Sequence, residues 1–242
     1  MKRNLLLFLP ISIPLCLIMA FNKVEMKQII ELDGAWRLKN GNEEQVLLFA
    51  GGYFTHTVYN KAGKQFIQAR GGVYTMNKDK LTISYEFDTK DKEQVGRSVS
   101  YTLGLQNNQL TTNINQNQEI WNRIDEGRTG LAGLWKITAR QQEGKMVPIH
   151  QAGTRKTVKI LTSSRFQWAA IDPGTKQFMG TGGGTYTFSN GKYTENIEFF
   201  SRDSSRVGSA LSFDGKVENG DWHHRGASSK GYPIYEVWSR SK

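Results

Sequence analysis

Glu195, His224, Glu236 and Arg240 are the residues of this 242-residue chain whose types and spacing could do chemistry. In "YTENIEF" (193–199), Tyr193, Glu195, Ile197 and Phe199 alternate, so a strand sets all four on one face. The apolar majority turns that face inward and carries Glu195 with it. The same spacing joins Trp222 with His224 in "DWHHRG" and joins Glu236, Trp238 and Arg240 in the closing "EVWSRSK". Buried, such groups have displaced pKa values, and Glu195, His224 and Glu236 could then serve as general acid and base. An unpaired buried charge is costly, so the set should otherwise close into a hydrogen-bonded network or meet the polar end of a ligand. Glu195 has a plainer alternative, a strand-edge carboxylate facing Lys192 or another cation.

Other chemistries have weaker signals. His223 and His224 are adjacent and face opposite ways, His56 and His150 stand alone, and metal-ligand spacing is absent, so no metal is expected. The "GTGGG" at 180–184 resembles a phosphate cradle, but neither Lys-Ser/Thr nor a helix start follows. A bulge or a close strand approach explains these glycines better. With no nucleophile motif or cofactor loop, no cofactor is expected, and an enzyme is the lesser reading.

The elements that position these residues occur twice. Shifted by 112 residues, "YTMNKDKLTISYEF" (74–87) lies over "YTFSNGKYTENIEF" (186–199), and "VGRSVSY" (95–101) over "VGSALSF" (207–213). "LDGAWRL" (32–38) matches "LAGLWKI" (131–137) at a shift of 99, and "EIWNRID" (119–125) matches the C-terminal phrase at 117. The chain is a duplication: residues 28–125 and 131–242 are the copies, and 126–130 join them. The second copy gains thirteen residues before Val158, including Pro148 and His150, as a candidate lid or an inert loop. Within each copy, short aromatic and β-branched runs alternate with turn pairs such as Asn190-Gly191. The expected fold is all-β, two consecutive antiparallel barrels.

Residues 1–20 read as a signal peptide, with Lys2 and Arg3 before the apolar run 5–20 and a small-residue site at Met19-Ala20. The run is shorter than the roughly 20 residues of a spanning helix, which leaves an uncleaved anchor as the minor alternative. The chain is therefore expected to be exported, periplasmic or extracellular, with membrane association as an alternative. Its one cysteine, Cys16, lies inside this segment, so disulfides are excluded. Bulky Leu15 argues against a lipid on Cys16. The net charge of +10 reads first as a soluble basic surface, with association with an anionic envelope surface as the alternative. Scattered basic residues and the export signal argue against nucleic acid.

Each copy opens on Gly-x-Trp (Gly34-Ala35-Trp36; Gly133-Leu134-Trp135) and ends on Glu-x-Trp-x-Arg. A barrel that brings its last strand beside its first would lay the terminal Arg over the opening Trp, with the neighbouring Glu to neutralise it. This pattern, with its meander of short strands, resembles the lipocalin and calycin barrels, and the short copies are similar to compact lipocalin-like domains of bacterial secreted proteins. The resemblance implies a non-catalytic protein holding a small apolar or amphipathic molecule. It points to Trp135, Trp168, Tyr186, Glu195, Trp222, His224, Glu236, Trp238 and Arg240 as the ligand-binding set. The first copy has Ile83 in place of Glu195 and Leu110 and Thr112 in place of Trp222 and His224, keeping Glu119 and Arg123. It is expected to be a more apolar companion to a functional second barrel. The alternative is an envelope or interaction module whose barrels are solid, with Trp36, Trp121, Trp135 and Trp238 packing their closed ends. Glu86 and Glu198 match between copies on the opposite strand face and are expected to face solvent.

Overall fold

Period-2 alternation builds the barrels. In Lys80–Asp88, Leu81, Ile83, Tyr85 and Phe87 are buried between more exposed residues, and Tyr193, Glu195, Ile197 and Phe199 repeat the pattern in Lys192–Phe200. The computed structural model describes residues 31–149, 153–228 and 230–241. Residues 1–20, read above as a signal peptide, with Cys16 among them, and His150 lie outside the described residues.

The first barrel comprises β1 (Gly34–Asn40), β2 (Glu43–Ala50), β3 (Tyr53–Asn60), β4 (Gln65–Asn77), β5 (Lys80–Asp88), β6 (Ser98–Gln106), β7 (Gln109–Asn115) and β8 (Asn117–Asp125). It is an antiparallel meander closed by the pairing of β1 with β8. The second comprises β9 (Gly133–Gln142), β10 (Lys145–Pro148), β11 (Lys156–Leu161), β12 (Arg165–Asp172), β13 (Gln177–Ser189), β14 (Lys192–Phe200), β15 (Ala210–Glu218), β16 (Asp221–Ala227) and β17 (Pro233–Arg240). Here β17 pairs with β9 to close the barrel, and β10 is an extra strand beside β9. The inserted residues thus extend β9 into a hairpin. The glycine pairs sit at matching bulges, Gly71/Gly72 against β5 and Gly183/Gly184 against β14. A Cβ on Gly72 or Gly184 would run into the carbonyl oxygen of Ser84 or Asn196 on the neighbouring strand.

The closing phrase does the same work in both barrels. The Arg123 guanidinium lies 4.1 Å from the Trp36 ring centroid, and that of Arg240 lies 4.3 Å from the Trp135 ring. Each indole N–H donates to a carbonyl four residues upstream, Leu32 for Trp36 and Leu131 for Trp135. Arg123 also donates to the carbonyls of Glu31 and Asp33, and Arg240 to those of Gly130 and Ala132. Gly133 is required by this stacking, because a Cβ there would strike the Arg240 guanidinium. The expected neutralisation by the neighbouring Glu does not occur. Four residues along a strand is about 13 Å, so Glu119 and Glu236 lie at the other end of their barrels.

The two barrels pack through one apolar cluster that includes Val46, Leu48, Tyr53 and Tyr59 of the first and Val158, Ile160, Ala169 and Ile171 of the second. The contact has an approximate two-fold character. Phe87 stacks on Phe178 at 6.0 Å and Phe199 faces Phe66 at 6.4 Å; the 112-residue shift turns each pair into the other. Glu198 is buried here, accepting from Tyr59 Oη at 2.8 Å, from Lys61 Nζ at 3.0 Å and from Arg165. Glu86 accepts from Lys156 Nζ at 2.6 Å. The expectation that Glu86 and Glu198 face solvent is therefore overturned. The outer faces of β2–β5 and β11–β14 look at each other across the interface. Asp125, at the end of β8, fixes the junction by accepting from Thr162 Oγ1 and from the backbone and side chain of Ser164.

Candidate functional site

At the open end of the second barrel lies a cavity of about 670 Å³. Its apolar walls include Ile137 on β9, Ile149 just past β10, Trp168 on β12, Ile197 and Phe200 on β14 and Leu211 on β15. Ile149 belongs to the inserted segment, so the insertion contributes to the cavity wall. The polar side chains reach the same space from β11, β14, β16 and β17: Lys159, Glu195, His224 and Glu236.

Strand register brings these together. Glu236 on β17 lies opposite His224 on β16, and both alternate inward with the indoles of Trp238 and Trp222, which also face each other. Lys159 is inward on β11 because Val158 and Ile160, on either side of it, turn outward into the inter-barrel cluster. It is 4 % exposed and its Nζ donates to Glu195 Oε1 at 2.8 Å; Glu195 is 5 % exposed. Tyr193 Oη donates to the same oxygen at 3.0 Å. The ammonium sits among rings, 4.9 Å from the centroid of Trp238 and 5.3 Å from that of Trp222, a setting that partly replaces its lost hydration. Lys192, the cation considered for Glu195, pairs with Asp214 on the surface instead.

Beside this pair, His224 is 2 % exposed and packs on Phe213 at 3.9 Å between centroids. Burial pushes its pKa below the ordinary imidazole value, so it is neutral at pH 7. Its Nδ1 is 3.6 Å from Glu236 Oε2, too far for a hydrogen bond, and neither ring nitrogen has a hydrogen-bond partner. Burial alone would raise the Glu236 carboxyl. The adjacent imidazole, the charge of Lys159 and the N–H of Trp238 at 3.1 Å together hold it below its usual value, and it is ionised. The site thus combines a closed ion pair, an ionised carboxylate and a neutral, unpartnered imidazole. Among the described residues, no three His, Cys, Asp or Glu side chains are grouped to hold a metal ion.

Of the nine residues picked from the sequence, Trp168, Glu195, His224, Glu236 and Trp238 line this cavity. Trp135 and Arg240 do not; they form the stacked pair at the closed end. Tyr186 is directed to the same end, where its hydroxyl donates to the Thr162 carbonyl. Trp222 is fully buried, packing against Tyr193 and Trp135. Lys159, between the apolar Val158 and Ile160, was not among those picks. Its register partner in the first copy is the core residue Leu47, and that comparison alone marks position 159 as interior.

The first barrel is not the apolar companion expected. A cavity of about 970 Å³ lies at its corresponding end, lined among others by Gln45, Arg70, Tyr85, Tyr101, Asn115 and Glu119. Arg70 Nε donates to His56 Nδ1 at 3.2 Å, and its Nη2 reaches the Ile114 carbonyl and Asn115 Oδ1. His56 Nε2 donates to Gln45 Oε1 at 3.0 Å, and the Asn115 amide joins Gln45 to Glu119. Burial, with Arg70 adding to it, holds His56 well below the usual imidazole value, which suits a ring that accepts at Nδ1. Arg70 therefore ties β4 to the end of β7 across the barrel. The corresponding residue of the second barrel is Gly182, against which Trp168 packs. No protein-family model and no curated protein matches this chain.

Proposed function

We propose that this is an exported, lipocalin-like binding protein that holds a small apolar or amphipathic molecule in its second barrel. The observation that carries the reading is His224: a neutral, buried, unpartnered imidazole on the wall of an aromatic-lined cavity. A buried polar group without a partner costs about 1–3 kcal/mol, and a ligand that bonds to it recovers that cost. The cavity volume falls in the range of small-molecule sites. Export rests on the Lys2-Arg3 start and the apolar run 5–20. The first barrel, with Arg70 bonded across its interior, serves as the structural partner that covers the outer face of the second.

The test is saturation of the full chain with the neutral apolar fluorophore N-phenyl-1-naphthylamine. Binding should follow a one-site curve, disappear in Leu211→Trp, which fills the second cavity, and persist in Val99→Trp, the matching change in the first. Equal loss in both variants, or no saturable signal, would refute the assignment.

An acid–base enzyme is the second reading, favoured by the neutral His224 beside an ionised Glu236. Turnover of any substrate that is abolished by His224→Ala or Glu195→Gln would replace the binding reading with this one.

A further inference from the structure

The lysines at the floor and rim of the second cavity are already paired. Lys159 is bonded to Glu195 at 2.8 Å, and Lys156, at the rim, to Glu86 at 2.6 Å. Arg155 also lines the cavity, and Arg140 stands across from Glu236 on β9; both are exposed, where water and salt screen them, and neither forms an ion pair with Glu236. Glu236 has no such partner: among the described residues its only ion-pair contact is the imidazole of His224, which is neutral. A neutral imidazole keeps one ring nitrogen without a proton, and neither nitrogen of His224 has a partner, so the ring supplies a second acceptor. Trp238 and Phe213 also line this space, and the faces of aromatic rings attract cations.

Within the binding reading above, on which this rests, we infer that the ligand is an amine-headed amphiphile. Its protonated amino group donates to Glu236 and to His224, and its apolar chain runs along Ile197, Leu211 and Ile234 toward the mouth. A carboxylate or phosphate head is disfavoured. It would face Glu236 and Glu195, with only the already paired Lys159 as a buried cation. The chain carries a net charge of +10, so non-specific attraction favours anions, and selection of an amine would have to arise at the site itself.

The experiment displaces N-phenyl-1-naphthylamine from the full chain with n-decylamine, decanol and decanoate, each below its micelle concentration. Decylamine should bind about tenfold or more tighter than decanoate, the scale of one charge-assisted hydrogen bond. In Glu236→Gln the ratio of decylamine to decanol affinity should fall by about the same factor. Decanoate binding as tightly as decylamine, or a ratio unmoved by Glu236→Gln, would overturn the inference while leaving the binding reading standing. A fluorophore that never binds would sink both.

Discussion

Lys159 and Glu195 form a buried ion pair at 2.8 Å in the second barrel, and the two matching positions of the first barrel, Leu47 and Ile83, are fully buried apolar residues. The duplicated scaffold thus tolerates either solution at one place, provided both partners change together. Removing one partner of a buried pair leaves an uncompensated charge, at about 3–5 kcal/mol, whereas an apolar pair of similar volume is often neutral. Lys159→Leu and Glu195→Ile should therefore each destabilise the protein by about 3 kcal/mol, and the double variant should recover most of that loss. Urea unfolding of the four proteins checks this; additive losses would show that the pair is not coupled.

The interface carboxylate Glu198 gives a signed pH dependence. Burial would raise its pKa, but Arg165, Lys61 and Tyr59 hold it below the ordinary value. The unfolded chain binds this proton more readily than the folded one. The contribution is therefore complete above the unfolded glutamate value of about 4.3 and is lost as pH falls through the lower folded value. Stability measured from pH 7 down to pH 3 should drop more steeply in the natural protein than in Glu198→Gln. Parallel curves would contradict this assignment.

Separation of the copies should expose the shared apolar cluster. A fragment spanning 129–242 bares Val158, Ile160, Ala169, Ile171 and Phe199, all buried in the full chain. Because the contact is nearly two-fold, with Phe66–Phe199 and Phe87–Phe178 as mutual images, the fragment should self-associate through that face. Light scattering should show dimers or larger species; a stable monomer would contradict the account of the interface.

Arg240 closes the second barrel through its plane and its two carbonyl contacts, which a lysine cannot reproduce. Arg240→Lys should cost about 1 kcal/mol, and Arg123→Lys a similar amount in the first barrel. Thermal unfolding measures both. Losses confined to one barrel would show that the repeated phrase acts differently in the two copies.

The duplication, the strands and the Arg-over-Trp closure were legible because each leaves a local pattern: a constant shift, a period of two, a fixed spacing. What misled was the assumption that the outer face of a strand is wet. Glu198 and Glu86 alternate outward as a solvent face would, yet that face meets the other barrel. The near-continuous apolar run "VLLFA" in β2 and the burial of β3 from Tyr53 to Tyr59 are the marks of a strand covered on both sides. Lys159 is interior for the same reason, since its neighbours Val158 and Ile160 are the ones turned to the interface. Arg70 and His56 could not be paired from sequence because β4 and β3 meet by register, which no local signal fixes. For Glu195, His224 and Glu236 the alternation gave the inward face, and strand register brings them to one cavity.

Native mass spectrometry of the full chain, purified from an exported preparation, tests the central claim most directly. A filled second cavity predicts a mass excess of one small molecule that vanishes on denaturation and is absent from Leu211→Trp. A bare mass, unchanged after exposure to a broad panel of amphiphiles and metabolites, would contradict ligand binding and leave two barrels joined through a common core with no ligand to hold.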